Sequence, residues 1–241
     1  MTFSSEYVVG LEQIGFNNEV TNRALLSMME DIASLHSASV GFGVLDVEKS
    51  RKGWVLLNWK VKVVRRPKYN ETIYATTWSR RFERAFACRD FEFKDADGNV
   101  MLIGTSKWVL FDIDTRRPQR LTEEIGAPYQ SEPDRYVFEE EIADVVYDKE
   151  AVENAESYVY DVMRRDIDIN GHMHNINYVD IASEALPKEV YEAGHWDEIN
   201  VSYKREIKYG DKVDCRYVCD EGRHMVAMLV DGKVNAVVEL K

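Results

Sequence analysis

The sequence predicts an α+β protein of two similar repeats, each a long helix packed on an antiparallel sheet, with the two sheets paired side by side. Three observations carry this prediction. One helical pattern followed by several strand-like runs occurs twice in the same order. The segment Arg65-Arg-Pro-Lys-Tyr-Asn-Glu-Thr-Ile73 lies over Arg205-Glu-Ile-Lys-Tyr-Gly-Asp-Lys-Val213 without a gap. Neither repeat alone easily buries both a helix and an open sheet edge, which favours pairing of the sheets. The chain accordingly divides into a first repeat (1–120), an acidic linker (121–156) and a second repeat (157–241).

The first repeat opens with a short strand at 7–11. From about Thr21, the residues Leu25, Leu26, Met28, Met29, Ile32 and Leu35 fall at helical spacing, and Gly41-Phe-Gly43 stops the helix. Strands follow at 54–64, 72–81, 85–94 and 100–111, rich in β-branched and aromatic residues. Asp95-Ala-Asp-Gly-Asn99 is a hairpin turn in which Gly98 is free to take positive φ. The linker carries Pro128 and Pro133 and room for one short helix. The second repeat then offers a strand at 158–163, a helix at 175–186 closed by Pro187, and strands at 198–204, 212–219, 223–230 and 234–240. Asp231-Gly232 makes the last tight turn.

With 45% hydrophobic and 31% charged residues, the composition is that of a globular protein. The net charge of −12 is unevenly spread: residues 49–120 hold 17 basic and 8 acidic side chains, whereas 121–156 hold 2 and 12. An acidic total without a basic-aromatic motif argues against nucleic-acid binding. Residues 1–6 carry no basic region followed by an apolar run, and no stretch reaches the roughly 20 apolar residues of a membrane span. Three cysteines, Cys88, Cys215 and Cys219, suit a reducing compartment, and a cytoplasmic location is expected. Cys215 and Cys219 with His224 do not suggest zinc, because on a strand the two thiols would stand about 13 Å apart.

The densest cluster of reactive side chains is 164–175, between the first strand of the second repeat and its helix. Asp168, Asn170 and His172 are spaced two apart, so in an extended segment their polar ends converge. The helix that follows offers main-chain N–H groups to a developing oxyanion. Asp, Asn and Gly also make ordinary turns and helix entries, and that reading competes. Glu206 adds a carboxylate where the first repeat has Arg66, and a charge at the end of a core strand needs pairing, solvation or use. Aligned by its helix, the first repeat has Gly15, Asn17 and Glu19 in place of Asp168, Asn170 and His172. Acid, amide and imidazole thus gather in one repeat only.

The segment Asp166-Ile-Asp-Ile-Asn-Gly-His-Met-His-Asn-Ile-Asn-Tyr178, followed by Tyr203-Lys-Arg-Glu206, resembles the signature of acyl-acyl-carrier-protein thioesterases, plant and bacterial enzymes with tandem hot-dog domains. Trp78, Ser106-Lys-Trp-Val109 and Thr115-Arg-Arg117 in the first repeat resemble the same family. The resemblance implies hydrolysis of a fatty acyl thioester of acyl carrier protein, with Asp168, Asn170, His172 and Glu206 as the catalytic set. Plant members commonly have a cysteine directly after the glutamate; Ile207 stands there instead, so carboxylates must do the work. A thioester is already activated, its thiol leaving group having a pKa of about 8.5, so neither cofactor nor metal is called for.

On this reading Glu206 activates water or attacks directly, and Asn170 and the helix N-terminus hold the oxyanion. His172 moves a proton and Asp168 fixes the arrangement. Burial beside a second carboxylate would raise the pKa of one acid. The resemblance places the acyl slot in the first repeat, where Met28, Met29, Ile32 and Trp54 are candidate walls, although such residues are more often plain core. Arg80, Arg81, Arg84, Arg116, Arg117 and Arg120 are candidates to dock an acidic carrier protein. A hot-dog hydratase or dehydratase would show Asp-x-Asn-Pro-x-His, against which Gly171 and the tighter spacing argue. A non-catalytic acyl-binding protein is the other alternative. Monomer and homodimer both fit the sequence.

Overall fold

The computed structural model describes residues 1–241, which divide into two compact units, Met1–Ile142 and Ala143–Lys241. The first unit comprises β1 (Thr2–Val8), α1 (Asn22–Ser39), α2 (Val47–Ser50), β2 (Lys52–Val63), β3 (Thr72–Phe82), β4 (Ala87–Lys94), β5 (Val100–Asp112), the two-residue β6 (Arg117–Pro118) and α3 (Glu123–Gly126). Its sheet runs β1-β3-β4-β5-β2, antiparallel throughout, with β6 added to β5. The opening strand begins earlier than the expected 7–11, which lies partly in a turn at Leu11–Gln13. An edge strand needs only alternate residues inward, and here Phe3, Ser5 and Tyr7 take those half-buried places.

α1 starts where Thr21 Oγ1 accepts the Ala24 N–H at 3.2 Å, satisfying one of the orphan donors of the first turn. It ends before Gly41, whose φ of 82° continues no helix. Leu25, Met29, Ile32 and His36 form a fully buried stripe along it. Gly104 on β5 lets this stripe approach the sheet: a Cβ there would stand 2.4 Å from Met29 Cε. At the predicted hairpin, Asp95 Oδ1 accepts the N–H groups of Asp97 and Asn99, and Gly98 has φ 83°.

The acidic stretch after the first sheet is packed, and the boundary between the units falls inside it. Leu121, Ile125 and Tyr129 are buried against the first unit, where the Tyr129 ring lies 5.1 Å from Phe82 and 5.5 Å from His36. Glu140 pairs with Lys60 and Glu141 with Arg81. Beyond the boundary comes α4 (Lys149–Asn154), capped by Asp148. There Val145 and Val152 pack with Met225, Ala227 and Val237 of the second unit.

The second unit continues with β7 (Ser157–Asp161), α5 (Asn177–Glu184), α6 (Lys188–Ala193), β8 (Glu198–Tyr203), β9 (Lys212–Asp220), β10 (Arg223–Val230) and β11 (Lys233–Leu240). Its sheet runs β7-β9-β10-β11-β8, the order of the first unit strand for strand. α5 is shorter than expected, and Pro187, lacking an N–H, ends one helical segment and starts α6.

The repetition extends to individual hydrogen bonds. Val9 N donates to Glu71 O at 2.9 Å, and Val162 N to Asp211 O at 3.0 Å. In the first unit the N–H groups of Val64 and Arg65 both donate to Met101 O; in the second, those of Lys204 and Arg205 both donate to Asn235 O. Met101 and Asn235 are bulge residues, the extra residue where pairing shifts between Phe93 and Lys94 and between Met228 and Leu229. Duplication of one helix-on-sheet unit explains all of these pairs.

Candidate active site

Asp168, Asn170 and His172 lie on a tight hairpin loop rather than on an extended segment. Ile167 and Met173 bridge, Asp168 N donates to His172 O at 2.8 Å, and Gly171, with φ 81°, makes the turn. Convergence therefore comes from the turn, not from strand alternation. The Asp168 carboxylate is the centre of the loop: Oδ1 accepts the N–H groups of Asn170 and His172 at 2.9 and 3.2 Å, and Oδ2 accepts Asn170 Nδ2 at 3.1 Å. Asp168 thus both fixes the backbone and orients the Asn170 amide.

Glu206 comes from the loop after β8 and meets this hairpin at its far side. Its Oε2 lies 2.9 Å from His172 Nε2. The Glu206 side chain is 56% exposed and that of His172 25%, so the carboxylate is not desolvated as the sequence suggested. The pair stands at the surface, open to water and to a substrate arriving from solvent.

Supporting groups come from residues of the two motif segments to which the sequence assigned no role. Tyr203 OH donates to Asn175 O at 2.9 Å, and the Tyr203 and Tyr178 rings meet edge to face at 5.0 Å. Tyr178 is buried, which raises its phenol pKa, and its oxygen takes a hydrogen bond from the Ile207 main chain. Met173 N donates to Ile207 O at 2.8 Å, tying hairpin to loop. Asp166 accepts Tyr160 OH at 2.8 Å and Met163 N at 2.7 Å, while its own main-chain oxygen takes Asn177 Nδ2 at 3.0 Å. Tyr178 closes the first motif segment and Tyr203 opens the second, but neither spacing nor alternation reveals that their rings meet.

Several N–H groups around the helix entry are already committed to main-chain acceptors. The N–H groups of Met173, His174, Asn177 and Val179 already donate to Ile207 O, Asp166 O, His174 O and Ile176 O. The Asn170 amide is the donor left at the hairpin tip, with one Nδ2 hydrogen beyond the one given to Asp168.

In the first unit the same hairpin is present without the chemistry. Ile14 bridges Val20 and Gly15 N donates to Glu19 O at 2.8 Å, so Gly15, Asn17 and Glu19 occupy the places of Asp168, Asn170 and His172. Arg66, in the place of Glu206, donates to Val20 O at 3.0 Å and to Asn22 Oδ1 at 2.8 Å. There the position pins the helix entry.

Met28, Met29 and Ile32 are fully buried on α1, whereas Trp54 belongs to a separate cluster with Leu110, Leu121 and Phe82 and donates its Nε1–H to Tyr129 OH at 3.1 Å. Of the six arginines, Arg81 is paired with Glu83 and Glu141, and Arg80 lies over the Tyr136 ring at 5.4 Å. Arg84, Arg116, Arg117 and Arg120 are exposed. Arg84 also borders a shallow depression of about 470 Å³ with Phe82, Leu121 and Thr122. Cys215 is buried and Cys219 exposed on the same strand, and no group of three His, Cys, Asp or Glu side chains is placed to hold a metal ion.

A helix on a five-stranded antiparallel sheet, made twice, with an imidazole–carboxylate pair in the second copy, defines a tandem hot-dog protein. Residues 1–129 match the acyl-ACP thioesterase N-terminal domain and residues 149–236 the acyl-ACP thioesterase C-terminal domain. The chain belongs to the acyl-ACP thioesterase family. It is 27% identical to oleoyl-acyl carrier protein thioesterase 2, chloroplastic, of Arabidopsis thaliana over 95% of this chain and 66% of that protein. It is 26% identical to the oleoyl-acyl carrier protein thioesterase, chloroplastic, of Coriandrum sativum over 89% and 62%. The chain thus spans somewhat less than two thirds of the length of these plant relatives. An acyl-ACP thioesterase from Bacteroides thetaiotaomicron has the same fold, with a TM-score of 0.87 at 22% identity over 99% of this chain and 96% of that one. No helix is long and apolar enough to cross a membrane.

Proposed function

We propose that this protein hydrolyses fatty acyl thioesters of acyl carrier protein to free fatty acid and carrier, in fatty acid synthesis. The observation that carries the proposal is the 2.9 Å contact between His172 Nε2 and Glu206 Oε2 beside the Asp168-ordered Asn170 amide. A water held against this pair loses a proton to the Glu206–His172 couple as its oxygen bonds to the acyl carbon. The carbonyl oxygen becomes an oxyanion facing Asn170 Nδ2. Collapse of that intermediate breaks the C–S bond, and the couple returns the proton to the departing thiolate. Asp168 keeps Asn170 and the His172 main chain in place throughout. Direct attack by Glu206, followed by hydrolysis of the anhydride, uses the same groups.

The acyl chain is assigned to the first unit, with Met28, Met29, Ile32 and Trp54 as candidate walls, since flexible thioether side chains adapt to a flexible tail. Three free cysteines support a reducing compartment, the cytoplasm. Neither the hydratase nor the non-catalytic reading is favoured by any contact at the site.

The test is release of free thiol and free acid from an acyl-carrier thioester. Glu206→Ala is expected to lower kcat by about 10²–10⁴-fold, the usual worth of base catalysis. A variant that kept more than about a tenth of the parent rate would remove Glu206 from the mechanism. With a 3-hydroxyacyl-carrier thioester, loss of water to a conjugated double bond without free thiol would point to the dehydratase instead.

A further inference from the structure

The Glu206–His172 contact cannot hold itself together. Both partners are partly solvated, and an exposed ion pair contributes little to fixing two flexible side chains. Glu206 also lies beyond the end of β8, outside the sheet ladder. Its placement must come from the main chain.

We infer that Asn235, the bulge residue of β11, is the positioning residue that sets Glu206 against His172. The inference rests on the catalytic reading of Glu206. Asn235 is 5% exposed, and its Nδ2 donates to the main-chain oxygen of Glu206 at 3.0 Å. Its Oδ1 accepts the Val230 N–H at 3.2 Å, which fixes the amide orientation. Its own main-chain oxygen takes the N–H groups of Lys204 and Arg205 at 2.7 and 3.0 Å. One residue therefore grips three consecutive positions, 204 to 206. From the next position, the Ile207 carbonyl bonds to Met173 on the catalytic hairpin.

The first unit supplies the internal control. It has the same bulge and the same paired N–H bonds to its carbonyl, yet the bulge residue is Met101, with no polar side chain to reach position 66. The bulge itself is thus part of the fold, while the side-chain amide occurs only in the unit whose following loop carries the carboxylate. A bulge re-aims the side chain of its extra residue, which is how a strand residue comes to face a loop here.

Turnover of oleoyl–acyl-carrier-protein by Asn235→Met and Asn235→Asp, each alone and with Glu206→Ala, tests this. Asp keeps the size and the acceptor for Val230 but removes the donor to Glu206, so it reports on the bond even if the Met variant does not fold. Displacement of a reacting group by about 1 Å can cost about 10²-fold, so Asn235→Asp is expected to lower kcat by 10- to 100-fold with KM within about twofold. Added to Glu206→Ala, it should lower the residual rate by less than about twofold, because the group it positions is gone. An unchanged kcat in Asn235→Asp, beside an inactive Glu206→Ala, overturns the role of Asn235 alone. Equal losses in both backgrounds mark general structural damage and also overturn it. Full activity in Glu206→Ala overturns the catalytic reading, and the positioning role with it.

Discussion

His36 lies sealed between the rings of Phe3 and Tyr129, with Nδ1 2.7 Å from the Arg89 guanidinium. Burial first, and the Arg89 charge second, drive its pKa down from 6.5 to about 3. The folded protein therefore stays unprotonated there through mild acid, whereas the unfolded chain takes up a proton below pH 6.5. The resulting linkage leaves stability unaffected above pH 6.5 and removes it progressively as pH falls from 6.5 towards 3. In thermal melts between pH 7 and 4, His36→Gln should lose stability less steeply than the parent, since the amide does not titrate. Parallel slopes would assign the acid sensitivity to other groups. At this scale the sequence disclosed the types of the site residues, because Asp168, His172 and Glu206 are replaced by Gly15, Glu19 and Arg66 in the first repeat, and only Asn170 keeps its type, as Asn17. It did not disclose Asn235, because a bulge leaves no mark in hydrophobic alternation, and an asparagine after a turn reads as a turn residue.

Among the elements, the turn between β8 and β9 shows how closely the two copies share their backbone. Gly210 has φ 86° and its counterpart Asn70 has φ 65°, and a Cβ at Gly210 would meet nothing within 4 Å. The position thus demands a left-handed conformation and no particular side chain. Gly210→Asn is expected to change stability by a few tenths of a kcal/mol, whereas Gly210→Val should cost about 1–2 kcal/mol. Chemical denaturation of the two variants decides this, and equal losses would mean that the backbone relaxes at the turn. Element types and most strand limits were legible, because alternation, the Asp95–Asn99 turn and Pro187 are local signals. The opening strand was misplaced towards residue 11, because an edge strand with serine at two of its places carries little periodic hydrophobicity. α5 fell short of its expected length because only tertiary packing decides how many turns a helix keeps.

On the scale of the whole molecule, a chain of net charge −12 exposes Arg84, Arg116, Arg117 and Arg120 on the first unit, besides Arg164, Arg165 and Arg205 on the second. Docking of an acidic carrier at the first-unit arginines, as proposed, would act through long-range attraction, which salt screens within about 10 Å at 0.1 M. Replacing Arg116, Arg117 and Arg120 with glutamate should raise KM for acyl-carrier substrate several-fold at low salt, leave kcat near the parent value, and remove most of the salt dependence of KM. A KM that does not move at low salt would take these arginines out of docking.

The sequence by itself determined the duplicated helix-and-sheet order, the hairpin turns and the confinement of the Asp168, His172 and Glu206 set to the second copy, because each is written in local spacing or in letters repeated along the chain. Only the tertiary structure decided that the Asp168 hairpin is tight rather than extended, that Glu206 lies 2.9 Å from His172, and that a strand bulge carries the amide holding its backbone. The last two outcomes join residues more than 25 positions apart. Their distances follow from how strands pair and where a ladder shifts register, which no single stretch of sequence encodes.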